Sequence, residues 1–350
     1  MVSFLIKRIV GGFGVLISVV ILITGIIYLS PVDPARLTFG QRSDNETVLQ
    51  KQQQLGLDQP LSTQMRYYLT DISPIAIVPK NRIGHLKNLV LHKNIGQLFF
   101  VVKSPNFRES YQTGAPVSSL LAAVIPKTII LAICAFVFAA VFGIILGILA
   151  ALFKDTFIDN SILVISTIGI SVPSYVAAIF FSVCFGYILH DWTNLNMQGS
   201  IFEMNDIGDD IVVWKNLLLP AIALGIRPIS IVTQLSRSSM LDVMNQQYIT
   251  TAKSKGLPKT KTLGKHALRN ALNPIVTSLS GWLASLLAGA FFVEKVFNYK
   301  GLGELTINAL INYDIPVILA SVMFICAIFI IINITTDILY TIIDPKTSIQ

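Results

Sequence analysis

Long apolar runs separated by polar segments organise this chain. Crossing the hydrocarbon core of a bilayer takes about 20 mostly apolar residues. The pattern therefore predicts six spans, over residues 9–29, 128–150, 161–188, 217–236, 274–293 and 317–341. The second and third runs are longer than necessary, so their ends project or tilt. Lys7 and Arg8 before the first run imitate a secretory signal. The 21 residues from Ile9 to Leu29 outrun a signal core, and no small-residue cleavage site precedes Ser30-Pro31, so this span is expected to stay.

Lys and Arg in short loops are retained on the cytoplasmic side. Residues 236–272 hold seven of them against the single acid Asp242; residues 190–215 hold Asp191, Glu203, Asp206, Asp209 and Asp210 against Lys215 alone. Both termini are therefore expected in the cytoplasm. The segment 30–117 falls outside with ten basic residues, but loops beyond about 60 residues largely escape the charge rule. The pattern describes an all-α integral membrane protein with six transmembrane helices, cytoplasmic N and C termini and a small extracytoplasmic subdomain after the first helix. In chain order it comprises a helix at 1–29, an extracytoplasmic segment at 30–117, a five-helix core at 118–343 containing a cytoplasmic loop at 237–273, and a tail at 344–350.

Composition agrees: 53% hydrophobic and 13% charged residues, with a mean hydropathy of +0.68, exclude an ordinary soluble globule. The net charge of +7 sits mainly in loops, where an anionic membrane surface attracts each basic residue by about 1 kcal/mol. Nucleic-acid binding is not implied. Cys134, Cys184 and Cys326 each fall in a span with no C-x-x-C pair and read as buried, inert thiols.

Outside the spans, Ser43-Asp44-Asn45-Glu46 is a capping-box sequence opening a polar helix that Gly56 can close. Pro60 suits the first turn of a further helix carrying Met65, Tyr67, Tyr68 and Leu69. Residues 74–116, with four prolines, read as irregular, either a partner contact or a surface lid.

Small residues recur at four-residue spacing in two spans, Gly143 with Gly147 and Gly281 with Ser285 and Gly289. Such stripes let helix backbones approach closely. Pro173 should kink the third span, which is tolerated where protein or water satisfies the freed carbonyl; with Tyr175 it is a candidate for lining a path. Arg227 stands near the middle of the fourth span, where a charge costs about 2.5–3.5 kcal/mol on insertion scales. It therefore faces protein or water, against either a substrate carboxylate or a structural partner such as Asp337. Lys127 near the external end of its span snorkels, and Asp337 pairs within the bundle rather than carrying protons.

No nucleotide site is legible. Gly264-Lys265 echoes the phosphate loop G-x-x-x-x-G-K-[ST], but Lys259 stands where Gly is needed and His266 where Ser or Thr is needed. The four histidines are scattered without ligand spacing, and neither G-x-S-x-G nor H-E-x-x-H occurs. The chain is expected to catalyse no covalent chemistry and to hold no metal or cofactor.

The basic loop then reads as structure. Residues 238–255 can form a helix stopped by Gly256 in a left-handed cap, with Pro258 disfavouring continuation. A second helix can run from Pro258 to Asn273. The result is an elbow with Tyr248, Ile249, Ala252 and Leu257 as an apolar ridge rimmed by lysines, suited to a protein groove. The alternative is a solvated basic loop held against lipid headgroups.

The run from Arg237 to Thr277, "RSSMLDVMNQQYITTAKSKGLPKTKTLGKHALRNALNPIVT", resembles the cytoplasmic EAA loop of ABC-importer permeases of the dipeptide, oligopeptide and nickel branch. Its markers are Tyr248, Ala252, Gly256, the string from His266 to Ala271, and Pro274. "LSPVDPA", "LGLDQPLSTQ", "VEKVFNYKGLG" and "TDILYTIIDPK" are similar to the same branch, so the resemblance covers nearly everything except about 75–110. The family often has an acid before the Tyr and an Arg soon after, where this chain has Gln247 and Thr250, and a Ser where it has Pro258.

The resemblance implies a multi-pass subunit of the bacterial cytoplasmic membrane, half of the translocation pathway of an ATP-driven peptide importer. It also implies a homologous second permease, two ABC ATPase subunits that carry ATP and Mg, and an extracytoplasmic substrate-binding protein. Tyr248, Ala252, Lys255, Gly256, Leu257, His266 and Arg269 would form the coupling loop, with Ala252 allowing close approach. Nickel chelates or another small solute are the alternative cargo. A self-sufficient ion-coupled carrier would need midplane carboxylates and paired broken helices, whereas this chain offers Asp337 near one end and no repeat. A membrane-anchored scaffold or receptor would not need Arg227 or a kinked core.

Overall fold

The computed structural model describes residues 2–29, 46, 49–50, 52–53, 58–79, 89–95, 98–205, 207–258 and 261–343. Most of the sequence that was expected to form the capping-box helix, and the tail at 344–350, lie outside them. The chain forms two compact units, one from Met1–Arg8, Ile125–Glu304 and Ile328–Gln350, the other from Ile9–Val124 and Leu305–Ala327.

Helix α1 (Val2–Leu29) opens the chain and α2 (Leu61–Ile72) follows Pro60, whose carbonyl accepts from the N–H groups of Thr63 and Gln64. Next come three strands, β1 (Ile75–Pro79), β2 (Leu89–Ile95) and β3 (Leu98–Lys103), in an antiparallel sheet of order β1-β3-β2. This sheet corrects both the all-α expectation and the irregular reading of 74–116. Pro79 sits on the edge strand β1, where a missing N–H is tolerated. The apolar run Leu98-Phe99-Phe100-Val101-Val102 is the central strand and buries Val101 against Val78.

Side chains tie the segment after α1 together within its own unit. Arg108 donates through Nε and Nη2 to Asp71 at 2.9 and 2.8 Å and lies 5.4 Å from the centroid of the Tyr68 ring. Tyr68 packs with Val20 and Leu319. Asp314 accepts from the Ser110 hydroxyl and, at 3.0 Å, from the Tyr111 N–H. Burial raises the phenol pKa of both Tyr68 and Tyr111.

The other unit carries the helical core. Helix α3 (Val117–Leu152) leads to α4 (Phe157–Ser171) and α5 (Ser174–Phe181), which runs on as a π-helical turn over Ser182–Ile188; the short α6 (His190–Thr193) and a two-stranded ribbon, β4 (Phe202–Met204) with β5 (Asp210–Val212), follow. Helix α7 (Lys215–Met244), α8 (Gln247–Ser254), a π-helical turn (Thr262–Leu268), α9 (Arg269–Phe297), α10 (Leu302–Ile311) and α11 (Ile315–Ile343) complete the chain.

Among the described residues four helices, α1, α3, α7 and α11, are long and apolar enough to cross a membrane, and the α4–α5 pair makes a fifth if its two halves count as one span. The expected kink at Pro173 is a full break, with the halves bent by 109°. Val172 and Pro173 are extended, so Pro173 caps the start of α5 instead of bending a continuous helix. Helix α7 is central, with 67% of its apolar window buried against 11% for α1. It packs on α9, α4 and α5, and Leu217, Ala223 and Leu224 join Leu131, Leu286 and Phe297 in the main core cluster.

The two small-residue stripes part company. A Cβ at Gly147 would stand 2.4 Å from Ser236 Cβ and 2.5 Å from Thr233 O, so α3 and α7 touch backbone to backbone there. At Gly281 nothing lies within 4 Å, so that face of α9 is open among the described residues.

Candidate functional site

The elbow begins where α7 ends. Asn245 caps α7, and Gln246 turns extended before α8, so the expected single helix over 238–255 is two helices with a step between them. Gly256 has φ +75 with open space around it. Its N–H donates to Lys253 O at 3.0 Å and the Leu257 N–H donates to Ala252 O at 3.3 Å. That pair of bonds is the Schellman closure, which favours glycine at the left-handed position. The return arm is the π-helical turn, whose Thr262 N–H donates to Pro258 O at 3.0 Å; it continues into α9 without stopping at Asn273.

Two of the four residues of the expected ridge, Ile249 and Ala252, point inward, which corrects that half of the expected docking surface, while Tyr248 is exposed and Leu257 half-buried. Ile249 and Ala252 are buried in a cluster with Met240, Ala267, Ala271 and Ala151. Ala252 therefore lets α8 approach its own chain. Residues three apart on a helix share a face, and here that face seals the elbow to the end of α7 and the start of α9. What remains outside is Gln247, Tyr248, Thr250, Thr251, Lys253, Ser254, Lys255, Gly256 and Pro258, with Leu257 half-buried. Asn270 donates to the Tyr248 hydroxyl at 2.9 Å and to His266 O at 3.0 Å, joining the two arms on the outer side. His266 is half-buried and Arg269 exposed.

Behind the elbow, Arg237 donates through Nε and Nη2 to the two carboxylate oxygens of Asp159, each at 2.6 Å. The Asp155 N–H adds a third donor at 2.9 Å. This two-pronged, charge-assisted geometry fixes orientation as well as distance.

Farther along the core, Arg227 is exposed on α7, and no acid pairs with it among the described residues. Asp337 pairs instead with Arg8 at 2.7 Å, which removes the expected Arg227–Asp337 pair while keeping Asp337 a structural residue. The Tyr175 ring lies 6.1 Å from that of Phe292, and both are exposed.

At the opposite end of α9, fully buried Glu294 accepts from Thr128 Oγ1 at 2.6 Å, Gly303 N–H at 2.7 Å and Glu304 N–H at 3.2 Å. The Leu302 N–H donates to Thr128 Oγ1 at 2.7 Å. A Cβ on Gly301 would stand 2.4 Å from the Glu294 carboxyl carbon, and one on Gly303 2.4 Å from Phe291 Cα. Glycine is required because the first turn of α10 closes directly onto this carboxylate, which satisfies donors that helix geometry leaves free.

Two family models match the chain. One, the binding-protein-dependent transport system inner membrane component, covers residues 143–349; the other, the N-terminal region of that membrane component, covers residues 1–132. The chain belongs to this family. It is thus a permease, a transport subunit of the inner membrane with several crossings and no enzyme chemistry of its own. The permease is 33% identical over 352 residues to a putative peptide transport system permease protein of Brucella abortus (99% of each chain). It is 32% identical over 345 residues to a glutathione transport system permease protein of Salmonella choleraesuis (99% of this chain, 98% of that one). Among solved structures, the MetNI methionine ABC transporter in an inward-facing conformation shares the fold, with a TM-score of 0.51 at 16% identity over 65% of this chain and 97% of that one.

Sequence reading overlooked two acids in this permease. Asp159 gave no spacing signal, because its partner lies 78 positions away. Glu294 stood inside "VEKVFNYKGLG" and had a local signal, an acid closing an apolar run a few residues before a Gly-Leu-Gly turn.

Proposed function

We propose that this permease is half of the translocation pathway of an ATP-driven peptide importer and that the α8 elbow couples it to partner ATPases. The observation that carries the reading is the elbow's two-sidedness. Its apolar side is locked into its own chain, while Tyr248, Lys253, Lys255 and Gly256 stand open. A lever needs that combination, because a partner can displace it only if it is rigidly attached behind and accessible in front. Nucleotide shifts the transporter between states only through contacts that differ between those states.

Six spans, with α9 as the fifth, and cytoplasmic termini complete the reading. The Arg8–Asp337 pair supports it by joining the beginning of α1 to the end of α11. A homologous second permease would cover the open faces of α7 and α9, two ATPases carrying ATP and Mg would seat the elbows, and an extracytoplasmic binding protein would deliver cargo. Arg227, Pro173 and Tyr175 line the path in this reading. An unpaired guanidinium in an apolar span needs water or a partner, and a peptide carboxylate matches its fork. The relatives named for peptide and glutathione transport support the same cargo class.

Gly256→Asp tests the coupling. Space around Gly256 is open and Asp tolerates the left-handed region better than most residues, so the chain should insert and fold. The new carboxylate stands among lysines on the accessible side. Uptake and copurification of the ATPases should both be lost; a variant that keeps both refutes the assignment.

A further inference from the structure

We infer that the Arg237–Asp159 pair is a strut that makes the elbow and α4 move as one body, so that displacement of the elbow reaches the Pro173 break. The inference rests on the coupling role proposed for the elbow. Asp159 lies in the first turn of α4 with its side chain 1% exposed, and Arg237 lies near the end of α7, eight residues before the Asn245 step. Both guanidinium-to-carboxylate bonds are 2.6 Å, and Asp155 N–H holds the carboxylate from the α4 side. A joint with two parallel bonds resists rotation as well as separation.

The geometry on either side agrees. Next to Arg237, the Gly147 position brings the α3 backbone against Ser236 and the Arg237 N. Ten residues along α4 from the joint, a Cβ on Gly169 would stand 2.2 Å from Ser230 Oγ, so α4 and α7 are in close contact at their other crossing too. Helix α4 is thus fastened to α7 at two points and ends at Val172-Pro173, where the chain turns by 109°. A rod fastened to α7 both at its base and near its tip carries motion of α7 to the break. Beyond the break stands Tyr175, facing Phe292 of α9. Arg237 and Asp159 are positioning residues, since neither is placed to touch cargo or nucleotide.

The test uses the purified complex with its ATPases, spin-labelled at Thr251 on the elbow and Thr167 on α4, both exposed. The distance between labels is measured by pulsed electron paramagnetic resonance without nucleotide and with ADP and vanadate trapped after ATP hydrolysis. With the native pair the distance should be the same in both states. In Asp159→Asn, which keeps size and removes the charge, the distribution should broaden and shift when nucleotide is trapped, and ATP hydrolysed per molecule transported should rise severalfold. Arg237→Lys, which keeps the charge but not the fork, should give an intermediate result and covers the case in which the first variant does not assemble. A merely structural role would lower thermal stability and leave the distances independent of nucleotide. Distances in the variants that match the native complex, or a native distance that itself changes with nucleotide, overturn the strut. Copurification of ATPases with Gly256→Asp separately overturns the docking role of the elbow, so the two failures are told apart.

Discussion

Replacing Glu294 by Ala should destabilise the permease far more than replacing it by Gln. The carboxylate is fully buried and accepts from Thr128 Oγ1, Gly303 N–H and Glu304 N–H. Thr128 keeps its Leu302 donor in any variant, but the two backbone donors of α10 both rely on the Glu294 side chain as their acceptor. Leaving a buried donor unmatched costs about 1–3 kcal/mol, so Glu294→Ala should lose about 2–6 kcal/mol. Glu294→Gln retains an amide oxygen for the same N–H groups and loses only the charge assistance, about 1–2 kcal/mol in total. Unfolding of the purified protein in detergent, followed by tryptophan fluorescence across a denaturant series, gives the difference. Equal losses for the two variants, or a loss below about 1 kcal/mol for Ala, would refute the capping argument.

Two further perturbations separate contacts within the chain from those it offers to others. Gly147→Ala forces α3 away from α7 and should cost about 1–3 kcal/mol, whereas Gly281→Ala meets no atom within 4 Å and should leave the isolated chain unchanged; the same unfolding series checks both. Tyr68 has a buried hydroxyl with no hydrogen-bond partner among the described residues, so Tyr68→Phe should be neutral or stabilise by about 1 kcal/mol near neutral pH. Because burial raises the folded-state pKa of this phenol, its contribution is fully present below the unfolded value of about 10 and is lost as pH rises above it. Tyr68→Phe should therefore resist alkaline unfolding better than the native chain, and a lower pH of onset would contradict this.

The sequence made α1, α3, α7, α11 and the broken α4–α5 pair legible as spans because apolar length is a local property, and it made the elbow legible because Gly256 and Pro258 are local stops. It misdirected where distant residues decide. The sheet over 75–103 depends on Leu98–Lys103 pairing on both sides, which the flanking prolines concealed. Helical spacing of Ile249 and Ala252 correctly marked an apolar face, but an apolar stripe turns toward the core by default, and the core in question comes from Met240, Ala267 and Ala271. Pro173 was visible as a disruption, while the size of the bend follows from the extended backbone at Val172 and Pro173 together. Arg237 was counted as one more loop charge, because Asp159 reaches it only through the packing of α4 on α7.

In the function proposed above, this permease is driven by partner ATPases and moves peptides. The most direct test is ATP hydrolysis and uptake of radiolabelled di- and tripeptides by the complete complex in proteoliposomes, with the binding protein outside. Peptide-loaded binding protein should stimulate hydrolysis, uptake should follow, and Gly256→Asp should abolish both. Stimulation by a nickel chelate but not by peptides, or peptide uptake that continues in Gly256→Asp, would contradict that function.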